Sequence, residues 1–411
     1  MTRRLFALTL VLALGAMACG DGGTTGDASP SPTTTSSPAA TGPQSLTVDV
    51  DGVIEGSNVA LLGYFPSEVT ARQGDTVEFA FQPGDPHTVT FGTLIDEAMA
   101  AFAQADQEGP PPEAAEKIPF AISEDGQRVI HAGALPCFTT DEPPTDGSPC
   151  EQVDQPAFDG AYAFYNSGLL TPTESFSMEI ADDAAPGTYS FLCLLHGPDM
   201  SGSLTVVKAD ASAPTPEEVQ AAGDDKLRSL VEEVRPALEA QPTGTLPGFE
   251  EALPQGEDQV LAGGVVEGEV PVDILQFGPP EVSIAAGESL TWTVLGFHTI
   301  SFNAPQDATP PIIVGEDGLP ALNPLAFAPQ GGAAGAPPPP EGDGPPAEEG
   351  PPGPPTVIDG GAWDGSGFFS SGVLPSFPPN LLAYRIAFNT PGTYSYVCLI
   401  HPDMEGTVTV R

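Results

Sequence analysis

The stretch Pro186-Gly187-Thr188-Tyr189-Ser190-Phe191-Leu192-Cys193-Leu194-Leu195-His196-Gly197-Pro198-Asp199-Met200 returns near the end of the chain as Pro391-Gly392-Thr393-Tyr394-Ser395-Tyr396-Val397-Cys398-Leu399-Ile400-His401-Pro402-Asp403-Met404. Two upstream blocks repeat with it. PSEVTARQGDTVEFAFQPGDPHTVTF, from Pro66 to Phe91, matches PPEVSIAAGESLTWTVLGFHTISF, from Pro279 to Phe302, and YNSGLL at Tyr165–Leu170 matches FSSGVL at Phe369–Leu374. The offset of about 205 residues is far longer than a solenoid period, so whole domains are duplicated.

Inside the blocks the apolar residues alternate. Val77, Phe79 and Phe81 in the first copy, and Leu290, Trp292 and Val294 in the second, recur at period two, the mark of half-buried strands. The same parity puts His87 on one face with Val89 and Phe91, His298 with Ile300 and Phe302, Cys193 with Tyr189 and Phe191, and Cys398 with Tyr394 and Tyr396. Both thiols are therefore expected to point inward at strand ends. The fold class read from this is all-β, two tandem β-sandwich domains. The first is placed at 45–208 and the second at 259–411, with a Pro/Gly-rich insertion at 329–356. The linker, 209–258, contains Pro216 to Ala240, where early acids (Glu217, Glu218) and apolar Leu227, Leu230, Val231 and Val234 predict a helix interrupted near Pro236.

The N-terminus predicts export. Thr2 to Arg4 is a short positive segment, and Leu5 to Ala18 an apolar run too short to span a bilayer comfortably. Gly15-Ala16-Met17-Ala18-Cys19 resembles a bacterial lipoprotein cleavage site, with Ala16 where that family usually has Leu. The resemblance implies a signal peptide over 1–19, lipid on Cys19 and a membrane-tethered, extracytoplasmic chain. Residues 20–44, rich in Gly, Ser, Thr, Pro, Ala and Asp, read as a flexible stalk. In an oxidising compartment Cys137 and Cys150, which bracket a Pro- and Asp-rich loop, are expected to pair as a disulfide, worth about 3 kcal/mol in the chain-entropy model.

Composition narrows the partners. The 411 residues carry a formal net charge of -45, with 11 Lys plus Arg, which argues against nucleic acid and against adsorption to anionic lipid by charge. A basic redox protein, a cytochrome or an oxidase, is the expected partner class, and a solvated acidic surface is the plainer reading of the same charge.

A thiol, two imidazoles and a thioether in the order His…Cys-x-x-His-x(2–3)-Met form the ligand set of a type 1 copper centre, trigonal His2Cys with a weak, long axial Met. Four of the chain's five histidines fall in that pattern, in the same order twice. At these residues each domain resembles the cupredoxin family, the plastocyanin and amicyanin group in particular. The resemblance implies that His87, Cys193, His196 and Met200 ligate one copper, and His298, Cys398, His401 and Met404 a second. It also implies an antiparallel Greek-key sandwich, one-electron shuttling, and His196 and His401 as the electron exits. Two departures follow. Three residues separate His196 from Met200, but two separate His401 from Met404. The position after the strand histidine, often Asn in the family, is Thr88 or Thr299, so the loop-bracing hydrogen bond must come from a hydroxyl or be absent.

The competing chemistries fit less well. Met is a poor zinc ligand and each cluster has one Cys, which disfavours structural zinc. Cys–His nucleophilic catalysis lacks a third orienting group. A trinuclear or type 2 copper site needs histidines beyond the leftover His131, which reads as an exposed loop residue. The expectation is an electron carrier and not an enzyme, with copper sequestration or delivery at the cell surface as the alternative.

Overall fold

Alternating burial along Ser45–Val50 and Thr76–Phe81 shows how the first repeat is built: Leu46, Val48, Val50, Val77, Phe79 and Phe81 are all turned into one core. The computed structural model describes residues 42–104, 117–119, 134–144, 150, 154–254, 256–315, 320–335, 353–401 and 403–411. In the first repeat one sheet orders Tyr64–Phe65, Ser45–Val50, Thr76–Phe81 and Ser175–Glu179. The facing sheet orders Glu68–Arg72, Gly197–Val207, Gly187–Cys193, Thr90–Phe91, Phe164–Asn166 and Cys137–Thr139. The second repeat has the same plan, with Gln259–Val266, Ser289–Val294 and Leu382–Phe388 facing Glu281–Ile284, Glu405–Val410 and Gly392–Val397. The protein is all-β, a pair of β-sandwiches.

The sheets are mixed and not antiparallel throughout, which corrects the implied topology. Ser45–Val50 runs parallel to Thr76–Phe81, and Glu68–Arg72 parallel to Gly197–Val207; the second repeat pairs Gln259–Val266 with Ser289–Val294 and Glu281–Ile284 with Glu405–Val410 in the same way. The cause is the path of the chain. It leaves one sheet, contributes a strand to the other, and returns to the first already pointing the original way.

Edge-to-face aromatics fill each core directly behind the cysteine strand. Phe79 meets Phe191 at 5.4 Å and Phe91 at 6.1 Å, and its counterpart Trp292 meets Tyr396 at 5.3 Å and Phe302 at 6.1 Å. The rigid floor under each cysteine is thus the same device used twice.

The two repeats are joined by more than a linker. Val59–Leu61, from the first repeat, is the edge strand of the second repeat's six-stranded sheet and pairs antiparallel with Val272–Gly278. Over that seam lies the helix Pro216–Ala240, started by Pro216 and by a capping box between Thr215 and Glu218. Its Leu230 and Val234 pack with Ile54, Leu61 and Phe65 of one repeat and with Val270 and Val272 of the other. Contrary to the expected interruption, Pro236 lies inside the helix. Pro236 removes one backbone bond, but buried Val234 and Ala237 beside it hold the last turn against the protein.

The first insertion opens with a helix absent from the sequence reading, Thr93–Gln104, whose Asp96 carboxylate accepts a 2.6 Å bond from Ser190 N. Cys137 and Cys150 are joined as a disulfide, with Cα atoms 5.6 Å apart. The signal segment, Cys19, nearly all of the stalk and His131 lie outside the described residues.

At Gly223 the long helix lies close against the first repeat: a Cβ there would lie 2.7 Å from the carbonyl oxygen of Phe65. Gly223→Val is therefore expected to lift the helix from the seam, costing about 1–3 kcal/mol as an overpacking change. Thermal unfolding should show a lowered midpoint, and an unchanged melt would mean that the helix is not tightly seated.

Candidate metal centres

Each site starts from two short strands pinned side by side. His87 exchanges backbone bonds with Leu170, and His298 pairs with Leu374. Two residues on, Val89 N donates to Ser167 Oγ at 2.8 Å and Ile300 N to Ser371 Oγ at 2.9 Å. The repeated Ser-Gly of the YNSGLL and FSSGVL blocks thus fixes the histidine strand in both copies.

The ligand loop is then tied to that strand by threonine. Leu194 N donates to Thr88 Oγ1 at 2.8 Å, and Leu399 N to Thr299 Oγ1 at 2.8 Å. In the other direction Thr88 N and Thr299 N each donate to the cysteine Sγ at 3.4 Å. The loop brace that family resemblance assigns to Asn is supplied here by a hydroxyl.

With both elements fixed, three soft donor atoms converge. In the first site Cys193 Sγ lies 3.8 Å from His87 Nδ1 and 3.5 Å from His196 Nδ1, and the two nitrogens are 3.1 Å apart. In the second, Cys398 Sγ lies 3.9 Å from His298 Nδ1 and 3.7 Å from His401 Nδ1, with the nitrogens 3.0 Å apart. Metal bonds of about 2.0–2.3 Å put neighbouring donors at such separations, so either triangle could hold one ion. Met200 and Met404 are buried in the same cores as Cys193 and Cys398. A thiol and two imidazoles within reach of one another suit copper better than a hard cation.

The loop after each loop histidine differs, as its length requires. In the first repeat the strand Gly197–Val207 begins at once, Cys193 pairs with Gly197, and the register slips between that pair and Leu192 opposite Ser201. In the second the strand begins after the methionine, and Cys398 N donates to Met404 O at 3.0 Å. The extra residue is absorbed as a bulge on the first repeat's metal-facing edge.

The outer nitrogens are held differently, which the sequence reading missed. His87 Nε2 faces Asp51 Oδ2 at 3.3 Å, whereas His298 Nε2 faces the carbonyl of Leu295 at 3.1 Å. Each partner is an acceptor, so each ring carries its proton on Nε2 and leaves the Nδ1 lone pair free for a metal. Burial lowers His87 to about 4, His196 and His401 to about 3, and His298 well below the ordinary range, so all four rings are neutral at pH 7. Burial also raises both thiols, despite the hydrogen bonds from Thr88 and Thr299 that oppose it. Asp51 is pushed up to about 7 by burial, against the backbone donors of Leu61, Gly52 and Asp85 that pull it down.

The two sites face one another. His401 Nε2 lies 3.8 Å from Asp85 Oδ1, and Asp85 is two residues from His87. His196 and His401 both line one cavity of about 410 Å³ between the repeats, together with Leu195, Phe297, Ile400 and Asp273. Burial pushes Asp273 up to about 7 and raises Asp85 as well.

No family model matches the chain, and no curated protein matches it. Among solved structures it is similar to auracyanin A, a "blue" copper protein from Chloroflexus aurantiacus, at 19% identity over 40% of this chain and 100% of that one, TM-score 0.22. It is similar to reduced auracyanin from Roseiflexus castenholzii at 21% over 41% and 99%, TM-score 0.21, and to an oxidised amicyanin mutant at 13% over 40% and 82%, TM-score 0.19.

Because the rings are neutral and the thiols protonated at pH 7, uptake of an ion is expected to release the thiol proton and none from the imidazoles. Affinity should therefore rise with pH up to the raised thiol value. Calorimetry in buffers of different ionisation enthalpy reads this directly; proton release well above one per ion bound would contradict neutral rings.

Proposed function

We propose that this chain is an exported, lipid-anchored copper protein that carries single electrons through two type 1 sites. His87, Cys193, His196 and Met200 would hold one ion, and His298, Cys398, His401 and Met404 the other. The observation that carries this reading is the convergence of one sulfur and two Nδ1 atoms, twice, with a methionine buried in the same core as each cysteine. Bound copper supplies a one-electron couple between Cu(II) and Cu(I).

The residues around each triad serve a carrier. The serine and threonine braces fix the donors in place, so a change in the ion's charge requires little rearrangement of the protein. The sandwich core excludes water from the sulfur. Cys193 is 0% exposed and Cys398 5%, and among the imidazoles of the two triads His196 alone is half-buried, so the sulfur donors sit where an ion is retained and not passed on. That favours electron transfer over copper delivery.

Anchoring at Cys19 places the chain on the outer face of a membrane, with residues 20–44 as tether. The net charge of -45 selects a basic redox partner such as a cytochrome or oxidase, with association slowed by added salt.

Reconstitution with Cu(II) tests the reading. Two coppers per chain and an intense visible thiolate charge-transfer band are expected, and Cys193→Ser or Cys398→Ser should each remove one centre's share of that band. A chain that binds copper without such a band, or a double variant that keeps it, would sink the assignment.

A further inference from the structure

Besides their ligand loops, the two candidate centres differ behind the strand histidine, where their folds otherwise correspond. Val50 pairs with Phe81 in the first repeat, and Ala262 with Val294 in the second, so the next residues, Asp51 and Gly263, are equivalent. Both have positive φ, 65° and 81°, a region that Asp tolerates and Gly enters freely. In the first repeat the side chain at this position reaches the outer nitrogen of the strand histidine. In the second no side chain fits, because a Cβ on Gly263 would lie 1.9 Å from His298 Nε2.

Asp51 is wholly buried, and its polar contacts among the described residues are with donors. Oδ1 accepts from Gly52 N and Leu61 N at 2.7 Å each, and Oδ2 faces Asp85 N and His87 Nε2 at 3.3 Å each. Four donors converging on two oxygens is the bonding pattern of a carboxylate. Among the described residues His298 has the neutral Leu295 carbonyl at its outer nitrogen, and the second centre's loop histidine has Asp85 Oδ1 3.8 Å from Nε2, beyond hydrogen-bond distance, where Asp51 is at 3.3 Å from His87 Nε2. In its ionised form, which these four donors favour, Asp51 sets a buried negative charge one imidazole away from an ion, and such a charge favours the ion's more positive oxidation state and so lowers its reduction potential.

We infer that the two centres form an ordered pair within one chain: Asp51 holds the first repeat's centre at a lower potential than the second's, and Asp85, against His401, is the contact through which they exchange an electron. The inference rests on the copper reading above. The transfer is balanced: one electron leaves the ion held by the first repeat and is taken up by the ion held by the second, with no bond made and no proton moved. The route is short. It runs from His87 through Pro86 to Asp85, whose carboxyl lies 3.8 Å from His401 Nε2, along the wall of a cavity that both loop histidines line.

The test uses the full chain in detergent, loaded with copper. Spectroelectrochemical titration of single-site variants gives each potential alone: Cys398→Ser leaves the first repeat's centre to be read, and Cys193→Ser leaves the second's. The first is expected to be lower, and Asp51→Asn, which suits the positive φ, should raise it without moving the second. After pulsed one-electron reduction of the two-copper chain, the electron should settle on the second centre in a phase independent of protein concentration, slowed about tenfold in Asp85→Ala. Equal or reversed potentials with two coppers bound would overturn the ordering alone, as would a first-centre potential that ignores Asp51→Asn. A settling phase untouched by Asp85→Ala would overturn the assigned contact. A chain that binds no copper would overturn both this inference and the function it rests on.

Discussion

Everything functional in this chain hangs from a pair of short hydrogen bonds, Leu194 N to Thr88 Oγ1 and Leu399 N to Thr299 Oγ1. Each fastens the loop that carries a cysteine and a histidine to the strand that carries the other histidine. Together with the pairing of Thr90–Phe91 and Ser301–Phe302 against the cysteine strands, the fastening sets the spacing of donors separated by 106 and 100 residues. The hydroxyl is short and buried, so it fixes distance as well as direction. The backbone amide of the same threonine bonds the cysteine sulfur, and one residue therefore orients both sides of the triad. The sandwich beneath provides a floor of interlocking rings that does not yield, which keeps the geometry the same whatever charge the site holds.

Much of this was legible in the sequence, because it depends on local pattern. Period-two alternation placed the strands and turned the cysteines inward, and the duplicated Cys-x-x-His-x(2–3)-Met spacing gathered the donors. What escaped depends on contacts between distant segments. Val59–Leu61 is three residues long and gives no periodic signal, so nothing local revealed that it would complete the other repeat's sheet. The helix Thr93–Gln104 was hidden in an insertion with no counterpart to align. Pro236 carries a local rule that tertiary packing overrode. Asp51 was accessible in principle: Asp-Gly after one alternating strand stands where Gly-Gly follows its counterpart, a difference between copies of a repeat that bonding to a histidine turns into chemistry.

Duplication usually yields two equal modules, yet here the copies are specialised by what surrounds the common core. The first carries a carboxylate behind its strand histidine and a bulged, longer ligand loop; the second carries a carbonyl and the tighter loop. Between them the half-buried acids Asp85 and Asp273 line a largely apolar cavity, where a charge is screened less than on the open surface. The acidic surface spread over the rest of the chain is screened by salt; these few sheltered groups are screened less.

The borrowed strand has a bearing on how such a chain can be taken apart. Severed at the linker, the second half would keep Val272–Gly278 as a naked border of backbone donors and acceptors, with Val272 stripped of the cover of Val59, Leu61 and Phe65. A border of that kind recruits whatever extended peptide is at hand, including a sister molecule. The halves are thus bound to a shared fate: they must mature together, and an excised fragment would trade solitary life for aggregation.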